Sequence, residues 1–480
     1  MEFNIMPKNY RIVLKKVLKK IKPRPKEKKR LEELSSKALK IANKEAKKFD
    51  ARAIIAGSLT RNTWLPDKNE FDIFIIFPKT ISEKRLEELG LKLGKSVIKK
   101  LHGKWRIEYA QHPYVRGKVN ETQIDIVPCY KVESGEKIKS AVDRTPFHVE
   151  YLDKNLPKKL SDDIRLLKQF CSGNKIYGAD AKTEGFSGYV CELLIIKYGS
   201  FINLLKNAVK WKPGEIIDIE NYHTKKDYPK LKKQFRRQVL ILIDPTDKRR
   251  NAAAAISGTG FYVFKRMASV FLKDPSEEVF FEEKYEPLTE NELITLQMKR
   301  RTELILVFFK PPKVVPDILW PQLRRFADRL EGILREYEFE VLRKDVYTSE
   351  KELAIVLIEM QISKLPRVDK KVGPPIFDLD DSERFIKKYK NKALAGPFIE
   401  NDFWCVEVER EFLTARDKLH DSLKEKVSIL KAKGIPKYIA EGISKKFEII
   451  SENEGIMKLV KMDENFGVFL RKFFYKKSLI

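Results

Sequence analysis

The 480-residue chain is short of several residue types that would have narrowed its chemistry. Its four cysteines, Cys129, Cys171, Cys191 and Cys405, lie far apart. That spacing makes neither a disulfide framework nor a cysteine metal site. Five histidines leave little material for a His-rich centre. No apolar run approaches the ~18–20 residues that a membrane helix needs. The start, Met1-Glu2-Phe3-Asn4, has no apolar core of a secretory signal. These absences point to a reduced, cytoplasmic setting with no membrane partner. What the chain has in excess is positive charge: 97 Lys and Arg against 69 Asp and Glu, a net charge of +28. With 42% hydrophobic residues, it can bury real cores in roughly two to four domains. A cationic excess of this size favours a polyanionic partner.

The pattern along the chain predicts an α+β multidomain protein. Residues 1–26 form a basic N-terminal segment, part of a lysine run over 15–30 that Pro23 and Pro25 interrupt. Residues 27–150 mix a helix at 27–49 with strands at 51–56, 71–77, 106–110 and 123–127 and a helix at 83–101. Residues 151–285 read as helical, with helices at 161–172, 185–207 and 247–274. Residues 286–407 form a small α+β unit: strand 303–310, helix 317–337 and strand 353–362, with an irregular excursion at 364–400. Residues 408–480 read as a helical tail, in which Gly434-Ile435-Pro436 separates two helices.

The chemistry concentrates in three places. A strand running into Gly57-Ser58 and on into a helix would turn backbone N–H groups and a hydroxyl toward an anion. Glu70 and Asp72 stand at i and i+2 of a strand and so share one face. Two such acids repel unless a cation lies between them, and oxygen ligands suit Mg²⁺. Asp125, within Gln123-Ile124-Asp125-Ile126-Val127, is an acid in an apolar strand, costly to bury unless paired or metal-bound. Three carboxylates fit a two-metal site for nucleotidyl transfer. Each feature alone has a blander reading, as a turn, a solvated strand end or a buried ion pair; the set in this order is harder to explain that way.

Gly57-Ser58, Glu70-Phe71-Asp72 and Asp125 resemble the signature of the DNA polymerase β-like nucleotidyltransferases. The closer resemblance is to the archaeal, class I CCA-adding enzymes (tRNA nucleotidyltransferases). It is carried by AGSLTRNTWLPDKNEFDIFIIF (56–77), EYAQHPYVRG (108–117), QIDIVPCY (123–130), SAVDRTPFH (140–148), YGADAKTEGFSGYVCELL (177–194) and DPTDKRRNAAAAIS (244–257). The resemblance implies a catalytic head with a mixed sheet, a helical neck, an α+β body and a helical tail. It implies that Glu70, Asp72 and Asp125 hold the metals. Gly57, Ser58, Arg61, His148, Lys168, Tyr177 and Arg250 would bind the nucleotide, Arg250 at the base edge. Arg249, next to it, leaves a one-residue ambiguity in register. The implied substrates are CTP, ATP and the acceptor stem and TΨC arm of tRNA, and the family suggests a homodimer.

Basic side chains suited to A-form RNA phosphates are Arg324, Arg325 and Arg329 on the helix at 317–337, and Lys424, Lys431, Lys437 and Lys445 in the tail. For each, a solvated surface charge is the alternative. Two other functions share part of the pattern: a poly(A) polymerase-like enzyme with the same acids, and a non-catalytic RNA-binding protein.

Overall fold

The computed structural model describes residues 9–66, 69–109 and 112–476. The first eight residues of the basic segment, and residues 67, 68, 110 and 111 of the quoted motifs, lie outside them. The chain forms two compact units, one running through residue 283 and one over 284–477.

The first unit opens with α1 (Tyr10–Ile21) and α2 (Pro25–Ala46). Pro25 begins α2, where its missing N–H costs nothing. The lysine run is therefore shared by two helices. Its apolar members are not solvated: Val17 and Ile21 are buried in the helical core against α5 (Ser161–Gly173).

A five-stranded mixed sheet follows, built from β1 (Arg52–Ala56), β2 (Glu70–Phe77), β3 (Lys104–Tyr109), β4 (Pro113–Val119) and β5 (Thr122–Tyr130), in the order β1-β2-β5-β4-β3. Only the β2–β5 pair is parallel. Strand β4 and the β3–β4 hairpin were not anticipated from sequence. One face packs Phe71, Ile73, Ile75, Val115, Ile124 and Ile126 under α2 and α3 (Glu83–Lys100). Helix α3 sits very close: a Cβ on Gly90 would lie 2.6 Å from Pro128, and one on Gly94 2.7 Å from Val115. Those two glycines let the helix press on the strands that carry the site. Because side chains alternate, Asp72 and Asp125 point to the opposite face. There Ala56, Phe74, Ile76 and Cys129 meet Val142 and Val149.

The rest of this unit comprises α4 (Thr145–Asn155), α5, α6 (Gly188–Tyr198), α7 (Phe201–Ala208), α8 (Tyr228–Gln234) and α9 (Gly258–Lys273). They come with a small sheet of β6 (Glu215–Ile217), β7 (Leu240–Asp244) and β8 (Asp247–Asn251). Two expectations are corrected here. The helix expected at 185–207 is two helices, because Gly199 turns left-handed at φ 74° and Ser200 caps α7. The helix expected at 247–274 begins only at Gly258. Before it, Asn251 ends β8 with its side chain accepting from the Leu242 and Ala253 N–H groups, which folds the chain back. Helices α6 and α7 are apolar but bent by 91°, and they form the core of this unit; no single helix among the described residues is long and apolar enough to cross a membrane.

The second unit holds α10 (Glu290–Arg300), β9 (Glu303–Phe309), α11 (Pro316–Arg335), β10 (Glu340–Thr348) and β11 (Ala354–Ile362). Then come β12 (Val368–Pro375), α12 (Leu379–Tyr389), β13 (Ala393–Glu400) and β14 (Phe403–Glu409). It ends with α13 (Ala415–Leu423), α14 (Val427–Ala432), α15 (Lys437–Ile443), β15 (Phe447–Ile450), α16 (Asn453–Met462) and α17 (Glu464–Phe474). The excursion at 364–400 is not irregular: β12, β14 and β13 make a sheet in that order, backed by α12. Its prolines and glycines sit at strand ends and bulges, which hid the period of two. Nor is the tail purely helical. Strand β15 pairs with β9 and completes the sheet β10-β11-β9-β15, so tail and body share a sheet. The expected boundary at 407 falls inside β14.

Candidate active site

Register places the acids. On the parallel β2–β5 pair, Asp72 stands opposite Asp125, and Glu70 opposite Gln123. Three carboxylates thus share one sheet face across two strands. Burial, then the charges of Asp125 and Glu70, push the Asp72 carboxyl up to about 7, against the partial help of Arg116. A buried carboxyl crowded by two further acids fits a divalent cation, whose charge offsets that cost. Asp125 is buried and gripped by Arg116 on β4: Nε lies 2.9 Å from Oδ1 and Nη2 2.7 Å from Oδ2. Tyr114 accepts from the same Nη2 at 2.8 Å.

After β1 the chain enters a hydrogen-bonded turn over residues 58–62, not the helix the Gly-Ser signal suggested. Thr63 N–H donates to the Ser58 carbonyl at 3.0 Å, and Asn62 adopts φ 53°, which a helix forbids. Gly57 has φ 97°, and a Cβ there would lie 3.6 Å from Asp72 Oδ2. Glycine is thus needed for the turn, whose left-handed backbone other residues rarely adopt.

Beside the acids lies a cavity of about 410 Å³. Gly57, Ser58, Arg61, Glu70, Asp72, His148, Lys168 and Tyr177 all line it, together with Gly188, Tyr189 and Glu192. Asp125 and Arg250 do not line it; Asp125 stands beside Asp72 in register, and Arg250 is bonded to Asp244. Lys168 is not the surface lysine its helix position suggests. It is 2% exposed and donates to Glu192 Oε1 at 3.1 Å and Thr63 Oγ1 at 3.0 Å. Arg61 Nη2 reaches the other Glu192 oxygen at 3.1 Å. Despite full burial, the two cations and Thr63 hold the Glu192 carboxyl below its ordinary range. Gly188 opens α6 behind the N-cap Ser187, so the positive end of an eleven-residue helix faces the cavity.

On the far wall, Asp244 gathers three site side chains, His148 Nε2 at 3.0 Å, Tyr189 Oη at 3.0 Å and Arg250 Nη1 at 2.6 Å, besides the N–H and hydroxyl of Thr246. Burial opposes its ionisation, but bonds from His148, the Thr246 N–H and Arg250 hold it well below the usual carboxylate range. His148 stacks on Tyr189 with ring centroids 4.0 Å apart. Arg249 points elsewhere, donating to the Glu136 carbonyl at 2.9 Å, so Arg250 is the arginine joined to the site.

The arrangement offers carboxylates for cations, a cationic end for phosphates and a polar–aromatic wall for a base. Sequence profiles of three families match it in order: a nucleotidyltransferase domain over residues 35–148, the second domain of tRNA nucleotidyltransferase over 162–281, and the C-terminal domain of CCA-adding enzymes over 300–452. The CCA-adding enzyme of Methanosarcina acetivorans is 37% identical over 462 residues, covering 95% of this chain and 96% of the relative. The chain belongs to the CCA-adding enzymes. It is a nucleotidyltransferase, and a second such CCA-adding enzyme, from Methanocaldococcus jannaschii, is 38% identical over 92% of this chain and 96% of its own length. Among solved structures, the Cid1 poly(U) polymerase is 15% identical, with a TM-score of 0.44 over 57% of this chain and 99% of its own.

In this CCA-adding enzyme family member, sequence reasoning missed Arg116, Thr63, Glu192, Tyr189 and Asp244. Glu192 did carry a signal: it is the one acid in the apolar helix GYVCELLIIKY, and a charge so placed needs a partner. A further acidic grouping, Glu83, Glu87 and His112, lies outside the predicted set; His112 Nδ1 is 3.5 Å from a carboxylate oxygen of each.

In the second unit, Arg324 and Arg325 lie on α11, where Arg325 Nε approaches the Pro321 carbonyl at 3.4 Å. Arg329 serves structure: it donates to the Lys433 carbonyl at 2.5 Å and pairs with Glu336 at 2.7 Å, tying α11 to the turn between α14 and α15. Lys424 pairs with Asp421 at 2.9 Å, Lys437 lies over the Tyr438 ring, and Lys431 and Lys445 are exposed.

Proposed function

We propose that this chain adds or repairs the 3′-terminal CCA of tRNA, using CTP and ATP without a nucleic-acid template and releasing pyrophosphate. The observation that carries the reading is the Asp72–Asp125 pair, with Glu70 on the same face, bordering a cavity whose other end holds Arg61 and Lys168. Two Mg²⁺ ions held by Glu70, Asp72 and Asp125 would supply activation of the RNA 3′-hydroxyl and charge neutralisation at the departing pyrophosphate. The chain's own groups do the positioning. Gly57, Ser58, Arg61, Lys168, Tyr177 and the start of α6 cradle the triphosphate. Glu192 fixes the two cations without filling the cavity. Arg116 orients Asp125 through its two-pronged grip. His148, Tyr189 and Arg250, locked together by Asp244, present donors and a stacking face to the base. Catalysis is then positioning and charge stabilisation, with no covalent enzyme intermediate.

The macromolecular partner is the acceptor stem and TΨC arm of tRNA. The net charge of +28 supports it, since A-form RNA is held through its backbone. Exposed Arg325, Lys431, Lys437 and Lys445, and half-buried Arg324, are suited to such contacts. A homodimer is supported by the apolar surface around α12, where Val372, Phe377 and Leu379 are 66%, 78% and 74% exposed. Four buried free thiols suit a reducing cytoplasm.

Single-nucleotide assays test the reaction. On tRNA lacking all three terminal residues, CTP alone adds two nucleotides and ATP alone adds none. On tRNA ending in CC, ATP adds one. ATP tailing without CTP incorporation contradicts the reading and favours a poly(A) polymerase.

A further inference from the structure

The acids sit in a row of side chains that crosses the whole head sheet. Register links Ala56 to Asp72, Asp72 to Asp125, Asp125 to Arg116, and Arg116 to Arg106. The neighbouring row runs from Glu70 through Gln123 and Lys118 to Lys104. In-register partners share a face. Both rows therefore begin acidic at β2 and end cationic at β3 and β4. Ser58 and Arg61 lie in the turn that leaves β1, the edge strand beyond β2, and Lys168 bonds Thr63 of that turn, so this end of the nucleotide cavity is on the β1 side of the acids.

In-line displacement puts the attacking and leaving oxygens on opposite sides of the transferred phosphorus. If pyrophosphate leaves toward Ser58, Arg61 and Lys168, the 3′-hydroxyl arrives from the β4–β3 side. There the surface opens into a cleft of about 370 Å³, lined by Lys104, Arg106, Arg116, Lys118, Glu121 and Gln123. The Arg106 and Lys118 side chains are 69% and 67% exposed. Their acidic neighbours are few: Glu108 is 2.6 Å from Arg106 and Glu121 is 3.7 Å from Lys118. The Lys118–Glu121 pair is exposed and the Arg106 end of the other pair is too, so both cations are free to exchange their partner for a phosphate.

We propose that Lys104, Arg106 and Lys118 form a strip that holds the backbone phosphates of the RNA strand being extended and leads its 3′ end to Asp125. The two strand spacings from β5 to β3 give the strip a reach of about 10 Å. This deepens the reading of the chain as an RNA-extending enzyme and rests on it.

The test is a triple variant, Lys104→Ser/Arg106→Ser/Lys118→Ser, assayed on tRNA lacking its 3′ end across a salt series. The KM for tRNA is expected to rise about ten-fold. The slope of log kcat/KM against log salt should become shallower by about two, as the loss of three single-strand phosphate contacts requires. The KM for CTP and the melting temperature should stay at parental values. A triple Glu variant at the same positions should go further in the same direction. Parental tRNA KM and salt slope in both variants overturn the strip while leaving the activity in place. Failure of the parent itself to extend tRNA overturns the functional reading, and the strip with it.

Discussion

Replacing Asp72 with Asn is expected to lower the single-turnover rate of nucleotide addition by about a thousand-fold, without unfolding the head. Asp72 faces Asp125 across β2 and β5, and the carboxyl is already pushed up to about 7 by burial and its acidic neighbours. The substitution keeps the side-chain shape and removes one of three crowded charges. The Asn variant should therefore melt at or above the parental temperature in the absence of divalent cation. The parent should be stabilised by added Mg²⁺ more than the variant, because a cation that binds only the folded state raises stability by mass action. Single-turnover addition and thermal melting, run side by side, check both parts. An Asp72→Asn chain that still adds nucleotides at the parental rate removes these carboxylates from the mechanism.

The second large effect is expected at Glu192. Its carboxylate is the shared counter-charge of Arg61 and Lys168, whose side chains are 10% and 2% exposed. Glu192→Ala leaves two cations buried around an empty anion position, a change that costs about 3 kcal/mol or more. Glu192→Gln retains a carbonyl oxygen for Thr63 or Lys168 and should fall between the variant and the parent. Thermal or denaturant melting reads the stability. The KM for CTP, measured at a temperature where the Gln variant is folded, should rise because Lys168 and Arg61 are no longer held at the cavity. A Glu192→Ala chain as stable as the parent would mean that the cations find partners elsewhere, and that the cradle is not built as described.

Much of the head is legible in the sequence. Strands β1, β2 and β5 announce themselves as apolar runs, and the period-2 rule put Glu70 and Asp72 on one face. That Asp125 joins them depends on the parallel register of β2 with β5, a long-range pairing that neither strand's own residues encode. The turn after Gly57 was misread because Gly-Ser before an apolar strand's partner serves helix starts and tight turns equally; Asn62 in the left-handed region decides it. Arg116 and Asp244 could not have been singled out. An arginine on a strand and an aspartate at a strand end look like surface groups until tertiary contacts bury them against Asp125 and against His148, Tyr189 and Arg250. Lys168, which the resemblance puts at the nucleotide, does line the cavity, but its helix position alone would not have said so, since an amphipathic helix ordinarily turns its lysines to water. Strand β15 was missed because it is only four residues long and gains its stability from β9, far away in sequence.

The most direct measurement of the central claim is the sequence of the product's 3′ end. The purified chain is incubated with tRNA lacking its last three nucleotides, all four nucleoside triphosphates and Mg²⁺, and the products are sequenced. The account predicts a product three nucleotides longer, ending in CCA, with no further extension. A homopolymer tail, a mixture of ends, or tRNA recovered unchanged would contradict it.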